Sequence, residues 1–257
     1  GLPVMEQNLF KHTTEKYGKE EFRKTLAEFI TNEKPPYPLK EFDMEKVVDV
    51  FRKLQKADFT KYLSTPDNVM EKYDDYKYAY KDYGLGLIDC PSVFNYCSDA
   101  FMNDLRMECG SYGFKSPVQR WNDGDNIWGA FGPIWRGVNT EKNITRGTYT
   151  MAFRLGTYIA TQFKPIVAKT IYEMCGAKTV LDTSMGWGDR LTAFYASNAT
   201  HYIGCDPNPN TFKRYKKMIE FWDKLTGGKK TTQIYNCGAE DLPWDEIANV
   251  DCAFTSP

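Results

Sequence analysis

Apolar and polar positions follow two different rhythms along this chain, and the change comes in its second half. Over Lys19 to Asn32, Phe22, Leu26, Phe29 and Ile30 share one helical face. Pro35-Pro36-Tyr37-Pro38 then breaks the pattern. Asp43 is suited to cap a second helix, with Met44, Val47, Val48, Phe51 and Leu54 inward. A third helix is predicted from near Asp67, carrying Met70, Tyr73, Tyr76, Lys77 and Tyr80. A fourth is predicted from Pro91, with Phe94, Cys97, Phe101 and Leu105 inward. Residues 110–147 lose the helical period. Trp121, Trp128 and Trp135 recur at a spacing of seven, but Gly124, Gly129, Gly132 and Pro133 lie between them. The stretch reads as a long ordered loop, with its tryptophans pinned to the core in preference to stacking on bases.

From Thr148 a helix resumes as far as Pro165, which opens another with Val167, Ile171 and Met174 inward. Gly176 fits the position just past its end. Strands are then predicted at 179–183, 201–205, 232–237 and 250–255. Helices are predicted at 189–197 and 210–225, the latter with Phe212, Tyr215, Ile219 and Trp222 on one side. This alternation calls for a parallel sheet with right-handed crossovers. The expected fold is α/β: a Rossmann-like parallel sheet, incomplete at its C-terminal side, with an N-terminal mainly helical domain. The expected segments are 1–147, helical with a Trp- and Gly-rich loop region, and 148–257, the sheet domain. No internal repeat or low-complexity tract is visible.

Composition adds little to this picture. The chain has 257 residues, 42% of them apolar and 26% charged, with a net charge of −1, as in an ordinary globular protein. Near-neutrality excludes a coat of positive charge but not a local basic groove. Cysteines 90, 97, 109, 175, 205, 237 and 252 form no CxxC pair and no metal spacing. Reduced thiols in a cytoplasmic, intracellular setting are expected. His12 and His201 are the only histidines, which weakens any zinc or Ser-His-Asp scheme, and no metal is expected. No apolar run is long enough to span a membrane, and neither a leader nor a membrane partner is expected. Lys213, Arg214, Lys216, Lys217 and Lys224, followed by Lys229 and Lys230, read as a solvated face.

Candidate chemistry gathers at the four strand ends, where ligands bind in open α/β sheets. Val180-Leu181-Asp182 runs into a turn with Gly186 and Gly188, which lets backbone N–H groups approach a ligand. Asp206 ends the second strand, 24 residues after Asp182, at the spacing of an acid that accepts hydrogen bonds from ribose hydroxyls. Its other reading is a cap for the helix that follows. After the third strand, Ala239, Glu240 and Asp241 can meet an adenine ring with one N–H and one carboxylate. Phe254-Thr255-Ser256-Pro257 ends the fourth. The glycine turn lacks the GxxxxGK[ST] pattern and the third glycine of GxGxxG, and Asp189 at the helix start would repel a pyrophosphate. A phosphate-free cofactor, S-adenosylmethionine, removes that conflict. Its amino group and sulfonium suit a carboxylate such as Asp182.

With these residues in place, the chain resembles the class I S-adenosylmethionine-dependent methyltransferases, and among them the DNA amino-methyltransferases. Asp182-Thr183-Ser184-Met185-Gly186-Trp187-Gly188 is similar to that family's DPFMGSG motif, with departures at Thr183, Ser184 and Trp187. Thr255-Ser256-Pro257 resembles the start of the catalytic motif TSPPY. Gln162-Phe163-Lys164-Pro165 is similar to the upstream motif that lines the methionine end of the cofactor, which brings Phe163 and Lys164 into the expected site. The order of motifs is that of a circularly permuted subgroup, and the resemblance covers about residues 160–257.

The resemblance implies methyl transfer to the exocyclic amino group of adenine or cytosine in DNA. It implies S-adenosylmethionine bound by Phe163, Lys164, Asp182, Ser184, Gly186, Gly188, Asp206, Ala239, Glu240 and Asp241. The implied catalytic group is Thr255, Ser256 and Pro257. In the family, the residue matching Ser256 and the carbonyl matching Pro257 accept bonds from the target amino group, which orients its lone pair. Nucleic-acid contacts are expected in the helical half and in the loop of 110–147. The sheet and motif stop short of the family's, so the chain is expected to be part of a longer protein. Two other readings stay open. One is methylation of RNA, protein or a small molecule. The other is a non-catalytic subunit that binds nucleic acid or a partner. Oligomeric state is not legible.

Overall fold

The computed structural model describes residues 1–64, 86–87, 89–123, 143–152, 157–247 and 249–256. The helix expected from Asp67, and Trp128, Trp135 and Pro257, lie outside the described residues. The chain forms two compact units: Gly1–Glu41 with Asn103–Thr161, and Phe42–Met102 with Gln162–Pro257. This partition differs from the expected segments 1–147 and 148–257. Phe42–Met102 joins the sheet-bearing unit, where Phe51 and Phe101 pack on a helix that flanks the sheet.

The first unit contains α1 (Gln7–Tyr17) and α2 (Lys19–Glu33). The helix α4 (Asn95–Glu108) belongs to it from Asn103 onward. It also holds α5 (Pro117–Asp123) and α6 (Arg146–Ala152). Phe10, Leu26, Ile30, Tyr37, Met107, Trp121 and Tyr149 form its core. Helix α5 corrects the expectation of an unbroken loop over 110–147. The Ser116 hydroxyl accepts from the Gln119 N–H at 3.2 Å, and the Gln119 side chain accepts from the Ser116 N–H at 2.9 Å. With Pro117 in the first turn, this is a capping box that starts a helix outright. Trp121 is buried edge-on to Tyr37 and Tyr149, and its indole N–H donates to the Pro35 carbonyl at 2.7 Å.

The second unit opens with α3 (Met44–Lys56), capped as expected by Asp43, whose carboxylate accepts from the Glu45 N–H. A two-residue ribbon pairs β1 (Leu63–Ser64) with β2 (Gly86–Leu87). After α7 (Pro165–Met174), strands and helices alternate. They are β3 (Thr179–Asp182), α8 (Asp189–Ala196), β4 (His201–Cys205), α9 (Pro209–Thr226), β5 (Thr231–Tyr235) and β6 (Cys252–Ala253). The four strands of this sheet are all parallel, in the order β5-β4-β3-β6.

Pro209 in the first turn and Gly227 in a left-handed conformation bound α9. Phe51 of α3 stacks on Trp222 of α9 with centroids 4.4 Å apart, and Phe101 of α4 meets Trp222 edge-on. Such a pair contributes about 0.5–1.5 kcal/mol beyond area burial. Every residue of α8 is buried, so the turn that precedes it rests on a fixed base. At its far end the Lys230 ammonium donates to the carbonyls of Phe194, Ser197 and Ala199. Strand β6 is shorter than the expected 250–255. At its foot, Asp251 accepts from the N–H groups of Lys178 at 3.0 Å and Thr179 at 3.1 Å. No helix among the described residues is long and apolar enough to cross a membrane.

Candidate functional site

The strand order decides where a ligand can enter. The chain moves outward from β3 to β4 and β5, then returns to place β6 on the other side of β3. Ligands of open α/β sheets bind beyond the carboxyl ends of the strands at such a reversal. In this sheet the place of that crevice falls between Thr183-Ser184, after β3, and Phe254-Thr255-Ser256, after β6. The Phe254 N–H donates to the Leu181 carbonyl at 2.9 Å and carries the pairing to the lip of the crevice.

The turn after β3 is built from both sides. The Met185 N–H donates to the Cys205 carbonyl at 3.0 Å, and the Tyr215 hydroxyl donates to the Gly186 carbonyl. Gly186 and Gly188 have φ of 56° and 78°, a backbone that only glycine adopts without strain. Their surroundings differ. A Cβ on Gly186 would meet nothing closer than the Ser184 carbonyl at 3.8 Å, whereas one on Gly188 would lie 2.7 Å from the Met218 sulfur. Gly186 therefore leaves the turn open. At Gly188 the positive φ and the Met218 thioether of α9 both disfavour a side chain, and the Cβ position faces α9.

Asp206 stands beside the open glycine. One carboxylate oxygen accepts from the Gly186 N–H at 2.9 Å and the other from the Asn208 N–H at 2.9 Å. Each oxygen keeps a free lone pair beyond these bonds. The cap of α9 itself is Asn208, which accepts from the Asn210 N–H.

Asp182 is placed differently from its expected role. Its side chain is fully buried and paired with Arg190, Nε to Oδ2 at 2.9 Å. Oδ2 also accepts from the Tyr202 hydroxyl at 2.7 Å, and Oδ1 from the Ser184 N–H at 3.2 Å and the Thr255 hydroxyl at 3.0 Å. These donors occupy both oxygens, so direct contact between Asp182 and a ligand amino group or sulfonium is not what the geometry supports. Burial, reinforced by the charge of Asp182, pushes the Tyr172 and Tyr202 phenols well above their ordinary value, and both stay neutral donors. Across the crevice the Ser184 and Thr255 hydroxyls are hydrogen-bonded to each other.

Asp189 is likewise turned inward. It accepts from the Ser98 hydroxyl and from the Gln162 amide at 3.0 Å, so its charge does not guard the helix start as the sequence suggested. Gln162 thereby ties the upstream segment to α8. The Arg190 guanidinium lies over the Phe163 ring, its Cζ 5.1 Å from the ring centroid, and that ring is edge-on to Phe254. Lys164 is spent elsewhere: its ammonium donates to the Cys90 carbonyl at 2.8 Å.

After β5, Ala239–Asp241 forms a single 3-10 turn with Glu240 and Asp241 exposed. The Glu240 carboxylate folds over Gly238, 2.6 Å from where a Cβ would stand, and Leu242 anchors the turn among Leu181, Ile203 and Cys205. Ser256 is exposed beside the crevice, while its expected partner Pro257 lies outside the described residues.

The fold thus brings Phe163, Asp182, Ser184, Gly186, Asp206 and Thr255 to one edge through named contacts. Arg190, Tyr202, Tyr215 and Ser98 were not foreseen. Their signal is a charge or hydroxyl at the start of α8, on β4, on α9 and on α4, legible only once strand order is known. Compared with known proteins, the chain matches no family model, and no curated protein shows significant similarity to it.

Proposed function

We propose that this chain is an S-adenosylmethionine-dependent methyltransferase acting on the exocyclic amino group of adenine or cytosine in DNA. The observation that supports this most is the Asp206 carboxylate, bonded to the Gly186 N–H beside an open turn at the sheet's reversal point. A carboxylate so held can accept both hydroxyls of a ribose. The adjacent edge carries Glu240 and Asp241, while the charge of Arg190 is spent on Asp182. Pyrophosphate meets repulsion there, and a sulfonium with an ammonium meets attraction.

When bound, the cofactor supplies an electrophilic methyl group. Ser256, with the carbonyl of Pro257, would accept hydrogen bonds from the target amino group and so orient its lone pair. Phe163, fixed by Phe254 and Arg190, offers an apolar wall to the methionine end. The acceleration expected from these groups is orientational.

Titration calorimetry with S-adenosylmethionine tests the reading. Wild type is expected to bind, and Asp206→Ala to bind at least about 100-fold more weakly, the scale of two hydrogen bonds to a charged acceptor. Transfer of labelled methyl to duplex DNA, followed by nucleoside separation, tells adenine from cytosine. Absence of binding by wild type refutes the proposal. Label in RNA or protein with none in DNA refutes the DNA assignment.

A further inference from the structure

The polarity of the hydroxyl pair at the crevice can be assigned from its surroundings. Asp182 is a buried carboxylate facing Arg190 and can only accept. Thr255 has one hydroxyl proton, and it is directed to Asp182 Oδ1 at 3.0 Å. Toward Ser184 the Thr255 oxygen is therefore an acceptor, and the shared hydrogen is the one on Ser184. Ser184, which is half-buried, then has no proton left to offer, so any further partner of its oxygen must be a donor. The order Ser184, Thr255, Asp182 runs in one direction and is locked by Arg190 and Tyr202. A hydroxyl in such a chain is a stronger acceptor than an isolated one, because each bond polarises the next.

From this we propose that Ser184 and Thr255 form a subsite for a cationic or N–H-bearing group of the ligand, and that Asp182 acts at one remove as a positioning residue. The inference rests on the function proposed above. It assigns the α-ammonium of the cofactor's amino-acid tail to Ser184 and corrects the direct role expected of Asp182. Ser184 is one of the positions at which this chain departs from the motif it resembles, so the subsite belongs to this sequence.

Calorimetry with two probes tests it. S-adenosylhomocysteine carries the ammonium; 5′-methylthioadenosine has the same nucleoside and thioether but lacks the tail. Ser184→Ala and Thr255→Val are each expected to weaken S-adenosylhomocysteine about tenfold or more and leave 5′-methylthioadenosine unchanged. Thr255→Ser restores the hydroxyl chain and should restore affinity. Ser184→Ala leaves the Thr255–Asp182 bond in place, so it reads the subsite even if Thr255→Val folds poorly. Wild type that binds S-adenosylhomocysteine, with Ser184→Ala binding it equally well, overturns the subsite and leaves the proposed function standing. Equal weakening of both probes also overturns it, since that is loss of structure. Wild type that binds neither probe overturns both the subsite and the function.

Discussion

Arg190 and Asp182 face each other in the interior, Nε to Oδ2 at 2.9 Å, with side chains 4% and 0% exposed. Removing one partner of such a pair strands the other charge. Arg190→Met should therefore cost about 3–5 kcal/mol in urea unfolding. Replacing both, with Asp182→Asn and Arg190→Gln, removes the stranded charge and should recover part of the loss. A single substitution that costs under about 1 kcal/mol would show the pair to be water-accessible.

The two turn glycines should separate stability from binding. Gly188→Ala forces a Cβ against Met218 at a positive φ and is expected to destabilise by about 1–3 kcal/mol. Gly186→Ala makes only an ordinary contact with the Ser184 carbonyl and strains its backbone, about 1 kcal/mol. Its larger effect should be on cofactor affinity, because the methyl enters the region that the ligand is proposed to fill. Thermal unfolding and calorimetry on both variants make the comparison.

Lys230 gives the protein a pH signature. Burial pushes its ammonium down to about 8 from the ordinary 10.5, despite the three carbonyls it caps. The folded value lies below the unfolded one. The stabilising increment from Lys230 is therefore complete above 10.5 and is lost as pH falls through about 8. The stability of wild type relative to Lys230→Met should rise between those limits, measured as the difference between their denaturant midpoints. A flat difference would place Lys230 in water.

The thiols divide by burial. Burial pushes Cys97 and Cys205 up to about 12, whereas Cys175 is exposed. At pH 8 the two buried sulfurs carry roughly a thousandfold less thiolate than a free cysteine. Iodoacetamide should label Cys175 in the native protein and reach Cys97 and Cys205 only on unfolding, as read by peptide mass mapping. Their folded values are raised, so the stability they contribute is whole below the unfolded thiol value of 9.0 and declines as pH rises toward about 12.

The strands and their glycine turn were legible because the signals are local. Val180 and Leu181 precede Asp182 in one short apolar run, and Pro209 and Gly227 bracket α9 within a few residues of the expected limits. Helix α1 escaped because its pattern is weak: among its eleven residues only Phe10 and Thr14 are buried. Helix α5 escaped for the opposite reason. Its capping box, Ser116 to Gln119, was written in the sequence and outweighed by the glycines after it.

The candidate site was legible as positions and not as roles. Asp189 looks like a charge at a helix start until Ser98, 91 residues earlier, is seen to hold it. Asp182 looks like a ligand contact until Arg190 folds back along α8 and Tyr202 arrives from β4. Side chains far apart in the chain compete for the same lone pairs, and periodicity does not encode who wins.

One fastening at the opposite edge of the sheet has a mechanical consequence. Asp251 ties the starts of β3 and β6 together through the amides of Lys178 and Thr179, and its own N–H returns to the Thr179 carbonyl at 3.2 Å. The two strands are thus pinned where they begin and joined by hydroxyls where they end. With the ladder between them also paired, Asp251 fixes the register of β3 and β6 from below, and so the spacing of the hydroxyls at their tips, without touching either hydroxyl.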